Sequence, residues 1–267
     1  MRALIVGAGL MGRWHAHALK KAGGSVVGVI DVDGDRARQL ASASSAVAHT
    51  TLTDALDTTP VDVVHVCTPP ASHEALISEA LEAECHVIAE KPLTDDPAST
   101  ERLLDQATAT GLTLTPVHQF PFQRGVRRLL DSQNDLGAIR SLAGNVCSAG
   151  ADHLPDSERD RIAGEIVPHF RALTAAFVTT PIDDPAAKWA CSRSAPGEWQ
   201  VSGRISDVSV SIAISMSTRP TRNEWEVRGT EATGRADLFH GFSVIDRGGA
   251  SRTNKILRPV TLPIRYG

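Results

Sequence analysis

Near the start of the chain stands Gly7-Ala8-Gly9-Leu10-Met11-Gly12, between a short apolar run and an amphipathic stretch. Glycines at the first two places let a backbone turn tightly and come close to a pyrophosphate. The third lets a helix pack on a strand, and the helix N-terminus then faces the phosphate charge. Leu10 and Met11 fill the variable places of this loop. Asp31 follows about 20 residues on, where a carboxylate accepts hydrogen bonds from the adenosine ribose and repels a 2′-phosphate. Together these residues point to a dinucleotide, NAD by Asp31, with NADP left open because Arg36 and Arg38 follow closely. A turn at a strand end is the plainer use of Asp31. Glu90-Lys91-Pro92 ends another apolar run, and the chain has only five lysines against 22 arginines. An ammonium there can give and retrieve a proton, which a guanidinium does not readily do. An ordinary surface lysine at a strand end is the alternative.

These residues need a scaffold, and the first 118 residues alternate short apolar runs with helix-length amphipathic ones. Strands are expected at Ala3-Gly7, Val26-Asp31, Val61-Cys67, His86-Glu90 and Leu112-Val117, with helices near Leu10-Ala22, Arg36-Ala43, Ser72-Ala83 and Pro97-Ala109. Asp96 suits the N-cap of the last helix and Pro97 its first turn. The run Val61-Asp62-Val63-Val64-His65-Val66-Cys67 is apolar at most positions, as a strand covered on both faces must be. Strand–helix alternation of this kind predicts an α/β fold with a doubly wound parallel sheet. In such a sheet the carboxyl ends of the strands face the ligand crevice, which aims Lys91 at the reacting centre.

After Pro116 the pattern changes. Residues 139–146 read as a strand and 165–178 as a helix with an apolar stripe. Val208 to Ser217 alternates large apolar residues with Ser and Ala, the mark of a half-buried, antiparallel strand with one smooth face. The expected organisation is therefore a dinucleotide-binding Rossmann domain over 1–118 and an α+β domain over 119–267. The second domain is expected to carry a sheet open on one side. Gln119 and Phe120 fall at the crossing between the two, as substrate-lining residues or as a hinge.

The glycine loop, Thr68-Pro69-Pro70 with His73, and Ala89-Glu90-Lys91-Pro92 occur in that order. In this the chain resembles the glucose-fructose oxidoreductase/inositol dehydrogenase (Gfo/Idh/MocA) family. The resemblance covers the first domain and weakens beyond residue 125. It implies that Thr68, Pro69, His73 and Glu90 line or support the cofactor side, with Lys91 near the nicotinamide. It also implies a catalytic acid/base histidine in the second domain, best matched by His169 in Glu165-Ile166-Val167-Pro168-His169. Glu165 takes the place of the family's aspartate, Val167 that of its glycine, and Pro168 stands where it would kink or delay the helix start. A hydride exchange between nicotinamide and a carbonyl or alcohol carbon of a sugar, cyclitol or related metabolite follows, with Lys91 and His169 handling the proton. The alternatives are an imine or biosynthetic-intermediate reductase of the same family and a non-catalytic NAD(P) sensor. The resemblance also implies that the second domain carries a mostly antiparallel open sheet, whose exposed face serves substrate binding and oligomerisation as a homodimer or homotetramer.

Composition narrows the partners. The net charge is -4 at pH 7 and aromatics are 4%, so neither a basic field nor stacking surface for nucleic acid is present. Cys67, Cys85, Cys147 and Cys191 form no C-x-x-C pair, and no histidine group shows metal spacing, which predicts a reduced, cytoplasmic, metal-free protein. No apolar run approaches the roughly 20 residues of a membrane span. His15 and His65 read as packing residues, and the acid-rich stretch 152–160 as a solvated loop.

Overall fold

In the computed structural model, which describes residues 1–248, the chain divides into two compact units, Met1–Val117 and one that begins at His118. The part of the expected second domain beyond residue 248 lies outside the described residues.

The first unit holds six parallel strands, β1 (Arg2–Val6), β2 (Ser25–Ile30), β3 (Val47–His49), β4 (Val63–Val66), β5 (His86–Ala89) and β6 (Leu114–Pro116), in the order β3-β2-β1-β4-β5-β6. Between them run α1 (Leu10–Lys21), α2 (Gly34–Ser44), α3 (Leu52–Thr58), α4 (His73–Glu82) and α5 (Pro97–Thr110). Alternation along the strands sends side chains to two cores. Leu4, Val6, Val64 and Val66 meet Ile77, Leu81 and Leu103, while Ala3, Ile5 and Val29 meet Ala16, Leu19 and Leu40. Burial on both faces is what the near-continuous apolar strands require. The strand order reverses between β1 and β4, which places the ligand crevice at their carboxyl ends.

Local signals set the helix ends. Asp96 accepts from Ser99 N at 2.8 Å with Pro97 in the first turn, and Gly111 closes α5 at φ +70°. Asp33 caps α2, which therefore starts two residues before the expected Arg36. β3 and α3 were not anticipated. A three-residue strand carries no readable alternation, and β3 exists through its pairing with β2.

The second unit contains α6 (Arg124–Asp131), α7 (Gln133–Leu136), β7 (Ile139–Cys147), α8 (Asp156–Phe177), β8 (Lys188–Ala195), β9 (Glu198–Ile205), β10 (Val208–Ser215), β11 (Arg222–Gly229), β12 (Ala232–Asp237) and β13 (Ser243–Arg247). The sheet order is β13-β12-β11-β7-β10-β9-β8, antiparallel at every pairing except β7 with β10. The alternation read in β10 is real: Val210, Ile212 and Ile214 are buried and Ser209 and Ser211 are exposed. α8 covers the apolar face, with Phe170, Leu173 and Phe177 in one core with Leu142 and Trp225. Gly144 of β7 makes room for this, because a Cβ there would overlap the Phe170 ring.

Two expectations for this unit are corrected. The helix predicted at 165–178 begins at Asp156, and Pro168 lies inside it rather than at its start. Asp156 and Glu158 favour the first turn electrostatically, and the packed face downstream carries the helix through the one hydrogen bond Pro168 removes. The acids of 152–160 are only partly a loop: from Asp156 on they lie on α8, and they are matched by arginines. Asp152 pairs with Arg219, Asp156 with Arg159 and Glu158 with Arg161. Asp160 accepts from Gly197 N (2.9 Å), Trp199 Nε1 (3.0 Å) and Arg193 (2.8 Å), and the Gly197 and Trp199 bonds hold its carboxyl below the usual carboxylate range.

Candidate cofactor and active site

At the carboxyl end of β1 the glycine loop has the geometry its spacing predicts. Gly7 adopts φ +98° and donates to Ile30 O at 2.8 Å; a Cβ there would lie 2.7 Å from Cys67 O. A Cβ on Gly12 would overlap the Gly7 carbonyl oxygen, so the third glycine lets α1 start against β1. Gly9 differs: nothing lies within 4 Å of its Cβ position, which leaves an open cradle above the backbone. Gly9 is also the N-cap of α1 and offers no side-chain cap, and Leu10 and Met11 are exposed on the first turn. An open backbone cradle at an uncapped helix N-terminus fits a dinucleotide pyrophosphate.

Asp31 is buried at the end of β2. Its Oδ2 accepts from Ala8 N at 2.7 Å and its Oδ1 from Asp33 N at 2.8 Å, which ties it to the glycine loop. A carboxylate offers about four lone-pair positions, so two protein donors leave acceptors for ribose hydroxyls. Arg36 lies 3.4 Å from Asp31 and bonds Asp33, and Arg38 bonds Asp35. Both arginines suggested as phosphate partners are thus committed to carboxylates.

The ends of β4 and β5 bring the next group together. Glu90 N donates to Val66 O at 2.9 Å, which sets the Glu90-Lys91-Pro92 turn beside Thr68 and Pro69. Pro69 is exposed and Thr68 and Lys91 are half-buried. His73, expected to line the cofactor cleft, is instead fully buried and cannot touch a ligand. Its Nδ1 is 2.8 Å from Pro92 O and its Nε2 2.8 Å from Thr68 O, so it bridges the two loops from beneath. A neutral ring carries one N–H, so replacing His73 with Ala strands the carbonyl it donates to and leaves a cavity. We expect a loss of roughly 3 kcal/mol, read by chemical denaturation.

Glu90 is reached from below by two histidines. His15 Nε2 lies 3.1 Å from Glu90 Oε1, and His15 Nδ1 lies 2.9 Å from His65 Nδ1. Sequence reasoning treated both histidines as packing. The available signal was His65 itself, a lone polar side chain in the apolar run of β4, which has to find a partner indoors. Burial, with the neighbouring His15 adding to it, pushes the His65 pKa from 6.5 down to about 4. Because the folded value is depressed, the unfolded chain takes up the proton first. Stability should therefore fall as pH drops from 6.5 to 4, by up to about 3 kcal/mol, and level off below. Urea midpoints across that range check the sign. Burial, reinforced by the Glu90 charge, pushes the nearby Cys67 thiol far above its usual range, so Cys67 is no nucleophile.

In the second unit His169 sits one turn after Glu165 on α8, and its ring meets Phe120 at 4.8 Å and His118 at 6.5 Å between centroids. Phe120 opens a short 3-10 turn, and Gln119 just before it is exposed. Glu165 bonds Arg161 across one helical turn. Phe120 and His169 are thus brought together, while Lys91 belongs to the first unit. Among the described residues no cluster of His, Cys, Asp and Glu is arranged to hold a metal ion, and no helix is long and apolar enough to cross a membrane.

Comparison with known proteins bears on both units. Residues 1–118 match the family described as an oxidoreductase family with an NAD-binding Rossmann fold, GFO_IDH_MocA. An inositol 2-dehydrogenase of Renibacterium salmoninarum is 30% identical over 188 residues, which are 67% of this chain and 56% of that protein. Inositol 2-dehydrogenase 4 of Saccharopolyspora erythraea is 37% identical over 120 residues, 44% of this chain and 36% of that one. The chain therefore matches little more than half the length of the first of these relatives and about a third of the second. Among solved structures, an NAD binding oxidoreductase from Klebsiella pneumoniae superposes at TM-score 0.81 with 17% identity, over 95% of this chain and 77% of that one. GenD2 from gentamicin A biosynthesis, in complex with NAD, superposes at 0.74 with 27% identity, over 90% and 73%. The low-identity superposition carries the two-sheet fold, and the first unit carries the motifs. On that ground residues 1–118 belong to the NAD-binding Rossmann fold of the Gfo/Idh/MocA oxidoreductase family.

Proposed function

We propose that the chain is an NAD-dependent dehydrogenase that oxidises an alcohol carbon of a cyclitol, sugar or related small metabolite, or reduces the matching carbonyl. The observation that carries this reading is the open cradle at Gly9, with Asp31 tied to the same loop as an acceptor for ribose hydroxyls. Gly7, Gly9 and Gly12 would hold the pyrophosphate and Asp31 the adenosine ribose. The commitment of Arg36 and Arg38 to carboxylates favours NAD over NADP. The likeness to inositol 2-dehydrogenases supports a polyol. When bound, NAD supplies the hydride chemistry at its nicotinamide. The protein's part is to orient the substrate and to manage one proton. The Lys91 ammonium donates to the substrate oxygen, and His169 takes the hydroxyl proton, with Glu165 one turn away as the carboxylate that orients it. Thr68, Pro69 and Glu90 support the cofactor side, and Gln119 and Phe120 the substrate.

A screen of cyclitols, sugars and sugar acids with NAD and with NADP, followed at the nicotinamide absorbance, tests this directly. Reduction of NAD by a polyol is the expected result. Turnover only with an imine or an activated biosynthetic intermediate would replace the substrate class. Tight NADH binding with no turnover across the screen would make the chain a sensor. The open face of the second sheet is the proposed contact between copies in a homodimer or homotetramer, read by light scattering.

A further inference from the structure

We infer that His65 and His15 are positioning residues, a pair with fixed tautomers that holds Glu90 and, through it, the turn carrying Lys91. A carboxylate only accepts, so the proton between His15 and Glu90 sits on His15 Nε2. A His15 ring whose one proton faces Glu90 turns a bare Nδ1 toward His65, and His65 Nδ1, 2.9 Å away, is then the donor. The assignment has an independent check. It leaves His65 Nε2 without a proton, and that atom is buried with no hydrogen-bond partner. The opposite arrangement points an N–H into the same apolar space, and orphaned N–H groups are the rarer of the two in proteins. The two rings meet edge-on, with centroids 5.2 Å apart and planes at 86°, so neither can rotate without losing the bond.

The anchoring of the pair gives it a purpose. His65 lies on β4 between Val64 and Val66, its backbone in register with Ile5 on one side and Ile88 on the other. His15 lies on α1, the helix that starts at the glycine loop. Glu90 follows β5 and precedes Lys91. Three elements that meet at the strand-order reversal are thus joined by two buried bonds ending at the carboxylate beside Lys91. Side chains of His15 and Glu90 are 10% and 14% exposed, so water competes little for either bond. Without the His65 donor, His15 is free to place its proton on Nδ1, and its bare Nε2 then repels Glu90.

The assignment of protons stands on this geometry alone, whereas its effect on cofactor binding rests on the reading proposed above. In the full chain labelled with 15N-histidine, long-range 15N–1H spectra at neutral pH should show His15 protonated at Nε2 and His65 at Nδ1. His15→Gln and His65→Asn assign the signals. Either ring in the other tautomer overturns the inference. NADH fluorescence titrations form the second arm. His65→Val should weaken binding roughly tenfold. His65→Asn, whose amide N–H stands where Nδ1–H stood, should restore most of it. Equal loss in both variants, with both folded by circular dichroism, reduces His65 to packing and overturns the inference. If the unmodified chain does not bind NADH, the cofactor reading fails and the tautomer spectra alone decide.

Discussion

Lys91→Ala should lower turnover by roughly 10²-fold or more while leaving NADH affinity within a few-fold of the unmodified chain. The expectation follows from placement. Lys91 is half-buried at the end of a central parallel strand, in a turn fixed by Glu90 N on Val66 O and by His73 beneath Pro92. An ammonium held there contributes to the substrate oxygen more than to the cofactor, so its loss falls on kcat. Lys91→Arg keeps the charge but not a transferable proton and should recover little. Single-turnover hydride transfer with the polyol found in the screen, alongside NADH titration, separates the two quantities. Unchanged turnover in Lys91→Ala would remove Lys91 from the proposal. His169→Ala should show the same division, since its ring packs on Phe120 and lies outside the glycine loop.

Gly12→Ala and Gly9→Ala should both abolish measurable NADH binding, by different routes. At Gly12 the added methyl overlaps the Gly7 carbonyl oxygen, backbone that cannot yield without moving α1 away from β1. Overpacking of this kind costs about 1–3 kcal/mol, so the variant should melt earlier and bind nothing. At Gly9 the methyl meets no protein atom and the backbone is in an ordinary extended conformation, so stability should hold. There the methyl fills the space a pyrophosphate needs. Melting curves with and without NADH distinguish them: one destabilised in the absence of cofactor, the other stable but no longer shifted by it. Normal NADH binding by Gly9→Ala would show that the cradle is not the phosphate site.

Much of this was legible in the sequence because the requirements are local. The glycine loop needs three glycines at fixed spacing, the parallel strands need unbroken apolar runs, and α5 announces itself with Asp96, Pro97 and Gly111. The alternation of β10 foretold its one buried face. What escaped depends on contacts distant in sequence. β3 is three residues held by β2, and α8 reaches back to Asp156 through acids that look like a loop until their arginines are seen. His73 carries the family spacing, but spacing cannot tell a ring facing a cleft from one bridging two carbonyls below it. The His65–His15–Glu90 chain joins residues 50 and 75 positions apart in pairs, beyond any periodic signal.

The one parallel pairing among the described strands of the second sheet has a consequence for how that unit comes to exist. β7 is its first strand in the chain and its central strand in space, flanked by β10 and β11. Ser141 pairs with Ser209 and Cys147 with Arg222, so neither flank of β7 is available until some 70 further residues have been made. Contacts of that span close slowly because loop entropy is lost before they repay it. In the first unit β1 can meet β2 as soon as α1 has formed. During synthesis the nucleotide-binding half can therefore assemble early. The other half must hold a nine-residue strand unpaired until β10 and β11 emerge.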